Sequence, residues 1–164
     1  MKKQIFIVCC LLIACIFCAC KKNDIEIQEP VNFYYCNEEI SYQSASGVIG
    51  TEVRDAIAYG GDLQKLLKDY LKGPQSSDLY LPLPENTSFK ALKISENVAY
   101  ITFSDEIASL SGIRLTTACS CIAMTICEYT AITEVCIQAQ SEQLENKDMV
   151  VIRPSELVLI DNTV

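Results

Sequence analysis

The residues most able to do chemistry are ten cysteines, in a chain of 164 residues that contains no histidine. Thiolates bind metal ions and take part in disulfide exchange. The spacing in Cys119-Ser120-Cys121 therefore resembles half of a metal-binding or redox motif. On a helix, however, residues i and i+2 point about 200° apart, so these two thiols cannot share a metal or a disulfide. We therefore interpret Cys119, Cys121 and Cys127 as small apolar side chains of a helix that faces the core.

Cys36 and Cys136 are a second candidate pair, because both fall on predicted strands with outward-facing side chains. A disulfide between them requires Cα atoms within about 7 Å of each other. The sequence leaves open whether they pair.

The other polar residues do not assemble a reaction centre. Without histidine there is no Ser-His-Asp triad, no Cys-His dyad and no histidine metal site. The adjacent acids Glu38-Glu39 and Asp105-Glu106 are expected to point apart into solvent, and the serines lack a Gly-x-Ser-x-Gly elbow. Neither a glycine-rich phosphate loop nor a calcium loop occurs in the sequence. We predict that the protein is not an enzyme and uses no metal or cofactor.

The charge balance argues against nucleic acid as a partner. The chain carries 13 Lys+Arg against 21 Asp+Glu, which gives a formal net charge of −8. Binding to a phosphate backbone requires clustered basic residues, so we predict no nucleic-acid partner.

The N-terminus has the features of an export signal. Met1-Lys2-Lys3 precedes an apolar run over residues 5–19, which is shorter than the ~20 residues of a transmembrane helix. Ala19-Cys20 resembles the lipobox of bacterial lipoproteins, whose signal is cut before a cysteine that then carries lipid. The resemblance implies a signal peptide over residues 1–19, a lipidated Cys20 with a polar tether to residue 30, and a domain over residues 31–164. An uncleaved membrane anchor is the alternative, and both place the domain outside the cytoplasmic membrane.

The remainder of the chain is predicted to be a single small α+β domain of order β-α-ββ-α-β. The strands are predicted over residues 31–36, 89–94, 98–103 and 133–140, and the helices over residues 62–72 and 114–131. We interpret residues 52–59 as extended, and we expect a final edge strand from residues 149–152 and 157–160. Two helices packed on one face of a mixed sheet are the simplest way to bury both apolar stripes.

Four residues are candidates for a binding surface. Tyr34 and Tyr100 lie on predicted strands where a ring faces outward, and tyrosine is frequent at interfaces. Cys121 and Met124 lie away from the main apolar stripe of the second helix, which is therefore apolar nearly all round. Such a helix is expected to be covered on both sides, by the C-terminal segment, by a second protein or by both.

Several segments, in this order, resemble the GerMN domain of sporulation and germination lipoproteins. They are the strand Phe33-Tyr34-Tyr35, a leucine-rich helix that ends in Gly73-Pro74, the Pro82-Leu83-Pro84-Glu85-Asn86-Thr87 stretch, and the hairpin over residues 92–104. The resemblance covers roughly residues 31–140. It implies a fold similar to the ring-building modules of secretion and sporulation channels, which work by packing against other proteins. No catalytic residues come with it.

The residues and the resemblance together predict a non-enzymatic, lipid-anchored protein on the outer face of the cytoplasmic membrane of a Gram-positive spore former. It is expected to scaffold an envelope complex in sporulation or germination, with an envelope protein or a second copy of itself as the partner. The alternative is a binding module for a small ligand or a cell-wall glycan, with Tyr34 and Tyr100 as stacking platforms. That alternative requires a concave pocket of ~300 Å³ or more.

Overall fold

The structure, a computed structural model, describes residues 29–37 and 49–157. These residues form two sheets and two α-helices, which confirms the predicted α+β class. In chain order the elements are β1 (Pro30–Cys36), β2 (Ile49–Asp55), α1 (Leu63–Tyr70), β3 (Phe89–Ser95), β4 (Val98–Phe103), α2 (Gly112–Tyr129), β5 (Glu134–Ala139) and β6 (Val150–Ile152).

The N-terminal predictions fall outside this part of the chain. Cys20, the predicted signal peptide and the tether up to residue 28 are not among the described residues, and neither are residues 158–160 of the predicted last strand. None of the helices in the described ranges is long and apolar enough to cross a membrane.

β1 and β2 form a two-stranded antiparallel sheet in which Cys36 lies opposite Ile49. The alternation of β1 buries Val31, Phe33 and Tyr35 on one side, as expected for a strand with one face on the core. The predicted first strand is therefore confirmed.

β2 is a strand that the predicted element order lacks. The extended interpretation of residues 52–59 holds up to Asp55, after which Ala56–Tyr59 forms a 3-10 turn. The strand begins earlier, at Ile49, because its backbone follows the whole length of β1. Pairing with β1 thus decides its bounds, and local composition does not.

The other four strands form a mixed sheet in the order β3-β4-β5-β6. β3 and β4 are an antiparallel hairpin closed by a turn in which Glu96 has a left-handed φ of 55°. β4 and β5 are parallel, and α2 is the crossover between them, while β6 joins β5 antiparallel. The predicted hairpin and the edge strand within residues 149–152 are both present.

α1 forms for local reasons that the sequence displays. The Asp62 carboxylate accepts hydrogen bonds from the backbone N–H groups of Gln64 (2.9 Å) and Lys65 (3.2 Å), which caps the helix. Leu63, Leu66, Leu67 and Tyr70 form its buried face. After the helix, Gly73 adopts a φ of 89° and Pro74 prevents continuation.

α2 lies between the two sheets, with β1 on one side and β5 and β6 on the other. Its buried residues occupy nearly all sides of the helix: Leu115, Thr117, Ala118, Cys119, Ser120, Cys121, Ile122, Ala123, Thr125 and Ile126. The expected arrangement, two helices on one face of one mixed sheet, therefore needs correction. β1 does not join the mixed sheet, because the edge of β1 opposite β2 is occupied by α2.

Side chains of α2 take the place of a neighbouring strand along that edge. The N–H of Asn32 donates to Glu128 Oε1 (3.1 Å), and the N–H of Tyr34 donates to Thr125 Oγ1 (2.9 Å). At the end of β1, Cys36 exchanges two backbone hydrogen bonds with Tyr80. We call these the β1 edge contacts. They satisfy backbone groups that an open strand edge would leave unpaired.

Candidate functional site

The solvent-facing side of the four-stranded sheet carries an apolar surface, which we call the open face. Tyr100, Cys136 and Val151 are direct neighbours across β4, β5 and β6, and Met149 precedes β6. Ile101 points the opposite way and is fully buried. Tyr100, Met149 and Val151 are 37%, 37% and 42% exposed. Among the four predicted interface residues, Tyr100 is thus the one with a substantially exposed side chain.

Polar pairs border the open face. Arg153 Nη2 lies 2.5 Å from Glu134 Oε2, and Gln138 Nε2 donates to Thr102 Oγ1 at 3.0 Å. An apolar centre with a polar rim of both charge signs is the composition of many protein interfaces.

Tyr34 lies elsewhere and already has a partner within the chain. Its hydroxyl donates to Glu128 Oε2 at 2.6 Å, and its backbone carbonyl accepts from the Tyr70 hydroxyl at 2.9 Å. Burial and the Glu128 carboxylate raise the pKa of Tyr34 to about 12. Tyr34 and Tyr100 belong to different sheets, so the structure does not bring them together as one stacking platform.

Cys121 and Met124 lie on α2 between the sheets. Cys121 is fully buried and Met124 is half-buried. The second helix is covered on both sides, as its composition predicts, but the covering elements are β1, β5 and β6 of the same chain. Cys121 is therefore a core residue and offers no surface to a partner.

The cysteines are arranged differently from the predicted pair. Cys36 ends β1, whereas Cys136 lies on the open face in the other sheet, with its thiol 3.7 Å from Glu134 Oε1. The Cys121 thiol instead donates to the Tyr35 carbonyl oxygen (3.7 Å), beside Cys36, and the two thiols shift the pKa of each other. Cys36, Cys121 and Cys136 are all free thiols.

A buried arginine organises the region between β2 and α1. Arg54 donates to Asp69 Oδ2 (2.7 Å), Glu52 Oε1 (2.7 Å), the Gly73 carbonyl (2.9 Å) and the Tyr35 hydroxyl (3.0 Å). Arg54 is 7% exposed. The five donors of a guanidinium make it suited to holding several groups in this way.

The surroundings of Arg54 keep its partner Asp69 ionised. Burial disfavours the charged carboxylate, but hydrogen bonds from Tyr59 and Lys72 and the charge of Arg54 outweigh it, so the pKa of Asp69 is lowered. The guanidinium carbon also lies 4.3 Å from the centre of the Phe33 ring. The Arg54 cluster thus ties β1, β2 and α1 together.

A cleft of about 750 Å³ lies beside this cluster, between β2 and α1. Lys65 and Lys68 of α1 and Lys72, two residues after the helix, line one side, and Val53 of β2 lines the other. Lys65 donates to a backbone carbonyl and Lys72 pairs with Asp69 at 3.0 Å. The cleft is large enough for a small ligand.

The acidic residues with candidate chemistry serve structural roles where the structure describes them. The Asp105 carboxylate accepts hydrogen bonds from the backbone N–H groups of Ser141 (2.7 Å) and Glu142 (3.2 Å), which lowers its pKa. Over residues 29–37 and 49–157, no group of three or more Cys, Asp or Glu side chains is placed to hold a metal ion.

Sequence reasoning missed the Arg54 cluster and the cleft beside it. Arginine is rarely buried, so its burial is not expected from residue type. The available signal was Glu52-x-Arg54, which places an acid and a base on the same side of a strand.

The structural comparison defines the class of domain. The fold is similar to the tandem GerMN domains of the sporulation protein GerM from Bacillus subtilis, with a TM-score of 0.55 and 21% sequence identity. The similarity covers 81% of this chain and 47% of that chain, so this chain spans about half the length of the tandem structure. The described residues therefore have the fold of a GerMN domain.

The sequence comparison then gives the family. Residues 32–145 match the Germane family, which is described as "Sporulation and spore germination", and the chain belongs to this family. The resemblance found in the sequence is confirmed, and family and fold support a role in sporulation. A candidate lipoprotein from Clostridium perfringens is a further structural match, at 20% identity and a TM-score of 0.48, covering 77% of this chain and 89% of that one. No curated protein matches the sequence.

Proposed function

We propose that this protein acts by binding another protein in the cell envelope during sporulation or spore germination, and that it catalyses no reaction. Family membership supports the process. The observation that carries the binding role is the open face, where Tyr100, Met149 and Val151 are exposed together on one side of a sheet.

The proposal includes a lipid anchor on Cys20 that holds the domain at the outer face of the cytoplasmic membrane. Its support is the sequence, an apolar run over residues 5–19 that ends in Ala19-Cys20. Several acyl chains on one cysteine anchor a protein stably, whereas one chain binds marginally. Radiolabelled palmitate should be incorporated into the wild-type chain and not into Cys20→Ser. Equal labelling of both chains would contradict the anchor.

The occupant that we propose for the open face is the same face of a second copy of this chain. The similar structure from Bacillus subtilis carries GerMN domains in tandem, and this chain spans about half of it. In a two-fold pairing each apolar residue meets the same patch of its partner. The rim carries Arg153 and Glu134, so the two signs of charge can face each other across the interface.

Analytical ultracentrifugation of the chain from Lys21 onward, at rising concentration, tests this pairing. We expect a concentration-dependent dimer that is lost in Tyr100→Glu and Val151→Glu. The matched control is Ile113→Glu, which places the same charge at an exposed position on α2, away from the open face.

Spore yield and germination rate of strains carrying the same three variants test the biological role. The two open-face variants should reduce them and the Ile113 variant should not. A chain that stays monomeric at all concentrations, or a dimer that survives Val151→Glu, would contradict self-pairing.

The cleft supports a second candidate function, which is binding of a small acidic ligand or a cell-wall glycan. Lys65 and Lys68 of α1 and Lys72 after it line the cleft, in a chain whose formal net charge is −8. Calorimetric titration with an N-acetylglucosamine–N-acetylmuramic acid disaccharide tests it. Binding that is lost in Lys68→Glu and kept in Lys93→Glu, a lysine on β3, would favour this function. No heat from the wild-type chain would remove it.

A further inference from the structure

Cys36 and Cys121 bring two buried thiols together where β1 meets α2. Cys36 is the last residue of β1 and is 1% exposed, and Cys121 is fully buried in the middle of α2. The Cys121 thiol lies 3.7 Å from the carbonyl oxygen of Tyr35, whose carbon is bonded to the nitrogen of Cys36. The two thiols also lie close enough for each to shift the pKa of the other.

This contact follows the same register of β1 against α2 as the β1 edge contacts. Along β1 the bonded positions are Asn32 and Tyr34, and their partners on α2 are Glu128 and Thr125. Two further residues along the strand reach Cys36, and one further turn of the helix reaches Cys121. The meeting of the two thiols is therefore fixed by the docking of β1 on α2.

We propose that Cys36 and Cys121 are a disulfide-forming pair, which joins β1 to α2 covalently when the chain meets a small-molecule disulfide or a thiol–disulfide oxidoreductase. The other cysteines are placed less well. Cys136 lies on the open face of the other sheet, and Cys119 points about 200° away from Cys121 around the helix.

In the folded chain the neighbouring Cys121 thiol lowers the pKa of the Cys36 thiol although burial opposes this, and the contact and burial together raise the pKa of Cys121. The thiolate is the nucleophile in disulfide exchange, so either cysteine can attack the oxidant once β1 opens and its thiol ionises.

The reaction consumes one oxidant disulfide, RS–SR, for each protein disulfide. Written with Cys36 first, its thiolate attacks one sulfur of RS–SR, and the first RS⁻ leaves with the proton that Cys36 lost; the same steps with the two cysteines exchanged give the same bond. The Cys121 thiolate then attacks the Cys36 sulfur of the mixed disulfide and expels the second RS⁻, which takes the proton of Cys121. The two protein thiols are oxidised by two electrons, and RS–SR is reduced to two RSH.

Burial sets when this exchange can occur. Neither sulfur is reachable by an oxidant once β1 is docked, so the exchange belongs to the folding chain or to a state in which β1 has opened. The finished bond closes a loop over residues 36–121, and long loops restrict the unfolded chain most in the chain-entropy account.

Peptide mapping of the full-length chain tests the proposal. The chain is extracted from membranes in detergent, reduced and unfolded in urea, and refolded with oxidised glutathione or with a thiol reductant. Remaining thiols are then alkylated, and mass spectrometry of peptides from trypsin and Glu-C digestion identifies the linked residues. We expect a Cys36–Cys121 linked peptide after oxidation, and a melting temperature higher by about 5 °C or more than that of the reduced chain.

Two variants make the result specific. Cys136→Ala should keep both the linked peptide and the gain in melting temperature, and Cys36→Ala should lose both. Mapping of the wild-type chain decides the question even if Cys36→Ala does not fold. Alkylation of both Cys36 and Cys121 after oxidative refolding, or linkage of either one to another cysteine, would overturn the pairing.

Discussion

Replacement of Arg54 by methionine is the strongest test of how this domain is held together. Methionine keeps a long apolar side chain and removes the guanidinium that bridges Glu52, Asp69 and the Gly73 carbonyl. The carboxylates of Glu52 and Asp69 are both partly buried, and the guanidinium is a shared partner of the two. Their loss of a partner, more than the loss of packing, should determine the effect.

The expected cost can be worked from what each carboxylate retains. Removing one member of a buried ion pair costs about 3–5 kcal/mol. Glu52 still accepts from the N–H groups of Gln75 (2.8 Å) and Ser76 (3.1 Å), and Asp69 still pairs with Lys72. Because each carboxylate keeps another partner, the lower end of the range of about 3–5 kcal/mol applies. The free energy of unfolding should therefore fall by about 3 kcal/mol, which raises the unfolding constant roughly 150-fold.

Urea denaturation of the chain from Lys21 onward, followed by far-ultraviolet circular dichroism, measures this loss. Arg153→Met is the matched control, because Arg153 pairs with Glu134 at a similar distance but is half exposed, and exposed pairs contribute less than about 1 kcal/mol. If both variants lose the same small amount, the Arg54 cluster does not hold β1, β2 and α1 together in the way that its geometry indicates.

Three further predictions concern individual contacts. Asp62→Ala should lower the free energy of unfolding, measured by thermal melting, by about 1 kcal/mol, because the first turn of α1 loses its hydrogen-bond acceptor. Asp62→Asn, which keeps an acceptor oxygen, should lower it by less in the same measurement. Tyr34→Phe should lose about 1 kcal/mol through its bond to Glu128 in chemical denaturation, while Tyr100→Phe should lose almost nothing; equal losses would contradict the assignment. Asp69 has a folded pKa below the ordinary value of 3.8, so its contribution is complete above that pH and is lost as the pH falls through the folded pKa. Acid titration of the melting temperature should therefore show a smaller acid-dependent loss in Asp69→Asn than in the wild type, and identical profiles would refute the role of its charge.

The parts of the fold that the sequence predicted are those decided by neighbours along the chain. α1 has its cap at Asp62, its apolar face at helical spacing and its stop at Gly73, all within a dozen residues. The β3–β4 hairpin is equally local. Apolar residues on nearly all sides of α2 predicted that both sides of the helix would be covered, and β1 on one side and β5 and β6 on the other cover them.

The parts that it did not predict depend on distant residues. Strand alternation gave Tyr34 the correct side of β1, but alternation does not reveal what lies on that side, and Glu128 lies there. The pairing of β1 with β2 and the burial of Arg54 arise from contacts between elements rather than from local preference. Tyr100 was predicted to face outward from its strand, but Met149 and Val151 were not predicted beside it, because the three residues meet only after three strands assemble.

The β1 edge contacts impose an order on the folding of the chain. The hydrogen bonds of Asn32 to Glu128 and Tyr34 to Thr125 join residues 96 and 91 positions apart, whereas β3 and β4 meet across a tight turn. Loop-closure entropy makes distant contacts form late, so the β3–β4 hairpin and α2 should gather before β1 docks. β1, which leaves the ribosome before the other described strands, is then the last of them to be fixed in place. During that interval the unpaired edge of β1 is open to other chains, and the speed with which α2 closes it should set how readily this domain aggregates.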